Sequence, residues 1–189
     1  KLLLTQVKVN RIEVASAKSS SGELSSVNEI VNFARDEGYI DKVEILGFVD
    51  NGRSIDWIKN VGGKTLNLLT KGSRLHCEKQ LGKTPKQHTD DIKKEISIAR
   101  KSCLNVNVYL EDWSNGIKDS PDYVFELVSN LKHTDIQRIM LPDTLGVLNP
   151  LNTLEYIRSI VSEFPGIHFD FHAHNDYGLA SANSLAAVY

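Results

Sequence analysis

Two rhythms of apolar and polar residues run along this chain. Short bursts rich in β-branched residues have the length and composition of strands: RIEVA (11–15), KVEILGFV (42–49), KTLNLLT (64–70), NVNVYL (105–110), QRIMLP (137–142) and IHFDFHA (167–173). Between them the apolar positions shift to helical spacing. Val27, Ile30, Val31 and Ala34 share one helix face, and Gly38 closes that helix. Three further helices announce themselves by their first residues, a capping side chain followed by proline: Thr84-Pro85, Ser120-Pro121 and Asn149-Pro150. A Pro-Gly pair at 165–166 breaks the last of these.

Strict alternation of strand and helix implies a parallel sheet with right-handed crossovers. An open nucleotide-binding sheet would carry a glycine-rich phosphate turn after its first strand. Here ASAKSSSG follows the first strand, and GxGxxG occurs nowhere. The expected architecture is therefore a (β/α)8 TIM barrel of the α/β class, of which about six central β/α units are present. No linker, low-complexity stretch or domain boundary interrupts it, so residues 1–189 read as one partial barrel domain. The opening KLLLTQVKV reads as the second half of a helix, and the chain stops in ANSLAAVY within another helical pattern. The expectation is a fragment with the barrel's first and last strands missing.

Composition narrows the function. The 41% apolar content over 189 residues supplies a core, and the net charge of −2 gives no support to a nucleic-acid or membrane-surface role. No apolar run approaches the roughly 20 residues that span a bilayer. Neither does a basic segment followed by an apolar one open the chain. Two cysteines, Cys77 and Cys103, are too few for a disulfide scaffold. The expected setting is the cytoplasm, with reduced thiols.

In a (β/α) barrel, chemistry gathers at the C-terminal ends of the strands. Four strands carry suitable side chains there: Glu13 in RIEVA, Glu111 and Asp112 after NVNVYL, Asp143 and Thr144 in LPDTLG, and His172 and His174 in FDFHAHND. Each has a plainer reading. Glu13 could form a structural ion pair, EDWSNG could be an ordinary turn, and Asp143 could cap the following helix. For the histidines, period two places Asp170, His172 and His174 on one face, opposite Phe169, Phe171 and Ala173. Two core imidazoles would each need a buried partner. Metal ligation is the preferred reading, with a third ligand, a carboxylate, supplied from elsewhere. His76 and Cys77 could meet the site from a loop, although Cys77 reads more simply as a small buried residue. Lys71 and Arg74 in TKGSR could contact an anionic substrate, but a solvated loop is the simpler reading. His88, His133 and His168 fall at expected surface or strand-entry positions and carry no assignment, and Trp57 and Trp113 are expected to pack.

These segments also resemble a known family. HAHNDYGLASAN is similar to the HxHND-GLA-AN signature of the DRE-TIM metallolyase superfamily, in the branch of the 2-isopropylmalate, homocitrate and citramalate synthases. RIEVAS resembles that family's second strand, LHCEKQL its H-x-x-x-K-L segment, LEDWSNG the Glu-Asp of its fifth strand, and LPDTLGVLNP its D-T-x-G-x-x-x-P. The resemblance implies His172 and His174 as two of three protein ligands to a divalent metal (Zn2+, Mn2+ or Mg2+). It implies Thr144 as the hydroxyl that binds the substrate carboxylate and Glu111 as a carboxylate near the reacting carbon. Glu13 would be an active-site acid, His76 a substrate-binding residue, and Asn175 and Asp176 orienting residues of the loop. The implied reaction is a Claisen-type condensation of acetyl-CoA with a 2-oxoacid, as in leucine biosynthesis, in a homodimer. The sequence departs from the family in one respect: no segment like the first-strand motif, with its Arg and metal-binding Asp, is present. Three other readings are open: a carbon–carbon lyase or aldolase of the same superfamily, an inactive barrel module, and an amidohydrolase. The amidohydrolase is disfavoured because its HxH pair belongs near the start of a barrel.

Overall fold

The expected strands all form, each within two residues of its sequence-derived bounds. In the computed structural model, which describes residues 1–17 and 20–189, they are β1 (Ile12–Ser16), β2 (Val43–Phe48), β3 (Thr65–Lys71), β4 (Asn105–Glu111), β5 (Arg138–Asp143) and β6 (Phe169–Ala173). They lie side by side in one sheet in chain order, and β1 pairs with β2, and β5 with β6, in parallel. Helices α1 (Ser21–Asp36), α2 (Arg53–Asn60), α3 (Pro85–Lys101), α4 (Trp113–Asp119), α5 (Pro121–Leu131), α6 (Pro150–Glu163) and α7 (Ala180–Ala186) occupy the connections. Sequential parallel strands with helical crossovers are consecutive units of a (β/α) barrel. Residues 18–19 of the ASAKSSSG segment lie outside the described residues.

Most helix boundaries follow from local chemistry. Thr84 caps α3 reciprocally: its hydroxyl accepts the Gln87 amide at 3.2 Å, while its own amide donates to Gln87 Oε1 at 2.9 Å. Asn149 Oδ1 accepts the Asn152 amide at 3.0 Å at the start of α6. Beyond α1, Gly38 takes φ of 76° and the next amide returns to Ala34 O at 2.6 Å. Ser120 departs from expectation. Because α4 ends where α5 begins, its hydroxyl donates back to Gly116 O at 3.2 Å and caps nothing ahead. The opening segment forms a π-helical turn, Leu3–Val7. The sequence carries no spacing or capping signal that locates α2 or α4. Both are short and start beside a residue of positive φ, Gly52 at 89° and Asp112 at 64°, so apolar spacing has little length in which to show.

The chain divides into two compact units, residues 1–68 with 94–107, and residues 69–93 with 108–189. The first packs Val31, Ile45, Ile55, Ile58 and Leu66, all fully buried. Its β2–α2 turn is tied by the buried Glu95, which accepts the amides of Asn51 at 3.1 Å and Gly52 at 2.7 Å. The second packs Leu110, Trp113, Leu131, Ile139 and Leu141, also fully buried. The edge strands β1 and β6 are half-exposed, whereas β5 is buried nearly throughout. No helix among the described residues is long and apolar enough to cross a membrane, and both cysteines are free thiols, Cys77 buried and Cys103 exposed.

Candidate active site

In the second unit the strand ends carry the chemistry, and Asp112 organises it. This residue is buried and held at positive φ, an arrangement that a non-glycine residue keeps only where its surroundings demand it. Its carboxylate accepts the Ser73 hydroxyl at 2.6 Å and the Asn115 amide nitrogen at 2.7 Å. Its Oδ2 lies 3.4 Å from His76 Nε2, and its backbone amide donates to Thr144 Oγ1 at 2.8 Å. One residue at the end of β4 thus ties together His76, on the π-helical turn His76–Gln80 after β3, through its carboxylate, and Thr144 after β5 through its main chain. Since the Thr144 oxygen accepts from Asp112, its hydroxyl proton is left to donate to something else.

The loop that carries Thr144 is held from below. The buried Asp143 carboxylate accepts the amides of Val147 and Leu148, both at 3.0 Å. It therefore organises the loop and does not cap α6, a role that Asn149 fills. Gly146 turns at φ 59°, and a Cβ there would come within 2.6 Å of Asp176 Oδ2. Asn175 Oδ1 accepts the Ala180 amide at 3.1 Å. Of the two residues after HxH, Asn175 thus holds loop backbone and Asp176 packs against Gly146.

His172 and His174 project from β6 and just beyond it, their rings 5.0 Å apart at 48°. The β5–β6 register pairs Pro142 with His172 and Asp143 with Ala173, and the His174 amide reaches Asp143 O at 3.4 Å. His174 therefore stands beside Thr144. Tyr109 meets the His172 ring edge-on at 5.9 Å. Neither imidazole has a hydrogen-bond partner among the described residues. Partial burial, and secondarily the neighbouring His174, lower the His172 pKa and so favour the neutral ring with its lone pair. Two adjacent imidazoles with no hydrogen-bond partner fit a borderline divalent metal. Among the described residues no group of three or more His, Cys, Asp and Glu converges to hold one, so a metal here would need ligands beyond this pair. Asp170 contributes nothing to it, being held by Arg138 at 3.2 Å and His168 at 2.9 Å.

Two assignments change. Lys71 does not lie in a solvated loop: it ends β3, and its ammonium pairs with the Glu111 carboxylate, the two side chains only 17% and 25% exposed. His88 is not at the surface: it is 2% exposed and bonded to Tyr123. No spacing signal marked either one, because both partners come from other elements.

Glu13 belongs to the first unit. Its Oε2 accepts Asn67 Nδ2 at 2.7 Å, and that nitrogen also reaches Glu44 Oε2 at 3.1 Å. Asn107 Nδ2 donates to Asn67 Oδ1 at 2.8 Å. Burial first, and the Glu44 charge after the opposing Asn67 bond, raise the Glu13 pKa. The ion pair considered for Glu13 falls instead to the buried Glu44, with Arg11 at 3.6 Å.

Parallel β/α units with imidazole, carboxylate and hydroxyl at the strand ends are the arrangement of a (β/α)-barrel enzyme, whose chemistry gathers at that end. The HMGL-like family model matches residues 2–189, and the chain belongs to that family. A 2-isopropylmalate synthase from Saccharolobus solfataricus is 31% identical over 189 residues, covering 98% of this chain and 47% of the relative. A homocitrate synthase from Sulfurisphaera tokodaii is 30% identical over 186 residues, covering 98% of this chain and 39% of the relative. The chain thus spans about half or less of the length of these relatives. Among solved structures, the Bacillus subtilis HMG-CoA lyase superposes with a TM-score of 0.75 at 21% identity, covering 98% of this chain and 63% of that one. The Pseudomonas aeruginosa hydroxymethylglutaryl-CoA lyase gives 0.72 at 20%, covering 95% and 61%. At such identities the likeness concerns the fold.

Proposed function

We propose that this chain carries the catalytic barrel of a metal-dependent acyltransferase that condenses acetyl-CoA with a 2-oxoacid, in the manner of a 2-isopropylmalate synthase. The observation that carries the reading is the adjacency of Thr144, with a hydroxyl proton free to donate, to the unpartnered pair His172 and His174. A 2-oxoacid presents a carboxylate and a keto oxygen on neighbouring carbons. Thr144 would donate to the carboxylate, and its bond from the Asp112 amide fixes the direction of that donation. The two imidazoles would hold a divalent metal (Zn2+, Mn2+ or Mg2+), which when bound supplies Lewis-acid polarisation of the keto group. Glu111, held by Lys71, presents a carboxylate beside the reacting carbon, and His76, held by Asp112, borders the same substrate. The relatives named as synthases at about 30% identity support the acyltransferase over the lyase, because the lyase likeness rests on fold. A homodimer in the cytoplasm, in leucine or a related biosynthesis, completes the reading.

The test is thiol detection of CoA released from acetyl-CoA by the full-length protein, against a panel of 2-oxoacids, with and without chelator. Release that needs one oxoacid and stops with chelator supports the synthase. Cleavage of a 3-hydroxyacyl-CoA without condensation would replace it with the lyase.

A further inference from the structure

The end of β3 carries a hydrogen-bond ring that the proposed chemistry does not account for. The Lys71 amide donates to His88 Nε2 at 3.4 Å, and the Tyr123 hydroxyl donates to Lys71 O at 3.0 Å. His88 Nδ1 and the Tyr123 oxygen are 2.8 Å apart. Since the tyrosine proton goes to the carbonyl, Nδ1 must be the protonated nitrogen and Nε2 the acceptor, which fixes the His88 tautomer. Both rings are buried, and their planes lie within 14° of parallel. A buried pair from α3 and α5 therefore holds both main-chain polar groups of a single residue. That residue points its ammonium at Glu111.

Stability gives little reason for such an arrangement. A largely buried ion pair is often no better than a well-packed apolar pair, because desolvation offsets the attraction. Its location is more informative. The pair joins the C-terminal ends of β3 and β4, one residue before Asp112, where the proposed site lies. We propose that Lys71 is a positioning residue of this site: clamped at its main chain by His88 and Tyr123, it holds the Glu111 carboxylate and fixes where that carboxylate meets the substrate. The identity of that substrate rests on the synthase reading; the holding of Glu111 by Lys71 does not.

A double-mutant cycle of Lys71→Met and Glu111→Gln in the full chain tests this, with Lys71→Arg as the conservative variant. Read on CoA release, Lys71→Met lowers kcat by about tenfold or more while KM for acetyl-CoA moves little, and Lys71→Arg recovers most of the loss. The double variant is no slower than Glu111→Gln alone, because one residue acts through the other. Losses that multiply, or a Lys71→Met enzyme within about twofold of wild type, would overturn the proposal. Should wild type release CoA with no 2-oxoacid, the synthase reading fails and the same cycle read on thermal unfolding decides the positioning role. Coupled shifts in Tm then support Lys71 as the holder of Glu111, and additive shifts overturn it.

Discussion

His88 links one buried imidazole to a property of the whole protein. Burial first, and then the Lys83 charge, lower its pKa from 6.5 to about 4. Between those values the unfolded chain takes up a proton that the folded one refuses, so stability rises with pH. The contribution is complete above about pH 6.5, is lost as pH falls towards 4, and amounts to roughly 3 kcal/mol. Urea unfolding between pH 4.5 and 7.5 should show this slope, and His88→Gln should flatten it; an unchanged slope in the variant would refute the assignment. His172 belongs to the same scale. His172→Ala and His174→Ala should each abolish stoichiometric zinc binding and chelator-sensitive turnover while leaving thermal unfolding of the metal-free protein near wild type. Retained zinc stoichiometry in either variant would remove that residue from the ligand set.

At the scale of elements, close backbone approach and capping decide the site's geometry. Gly116 in α4 faces Gly72 O so closely that a Cβ would overlap it. Alanine is ordinarily preferred to glycine in a helix by about 1 kcal/mol. Here the overlap should win, and Gly116→Ala should destabilise the protein by roughly 2 kcal/mol, measured by chemical denaturation. A stabilised variant would show that the two backbones can part freely. At α6 the contribution is a cap, so Asn149→Ala should cost about 1 kcal/mol, and Asn149→Asp should not. These features differ in how far the sequence announced them. Asn149-Pro150 was legible because capping is local chemistry. The α4 approach was not, since its determinant, Gly72 O, lies more than forty positions away in the chain.

At the scale of the whole molecule, the inward polar residues of the first unit are bound to one another. Asn67 donates to both Glu13 and Glu44 and accepts from Asn107, joining side chains of β1 to β4. Asn67→Leu should leave the buried Glu44 short of a donor and lower stability by about 1–3 kcal/mol, read as a shift of Tm; an unchanged Tm would show that water replaces the amide. The sequence by itself determined the order of six strands, the starts of α3, α5 and α6, the family, and the placing of Glu111, Thr144, His172 and His174 at strand ends. Period, capping and motif are properties of neighbouring residues, and neighbours are what a sequence displays. Only the tertiary structure decided which side chains meet. It took Asp170 away to Arg138, and gave Glu44 rather than Glu13 the pairing with Arg11. It turned Lys71 from an apparent loop residue into the buried partner of Glu111, and His88 from an apparent surface residue into its clamp. Each of those outcomes depends on the desolvation and hydrogen-bond geometry of groups distant in the chain, which exist only once the strands are side by side.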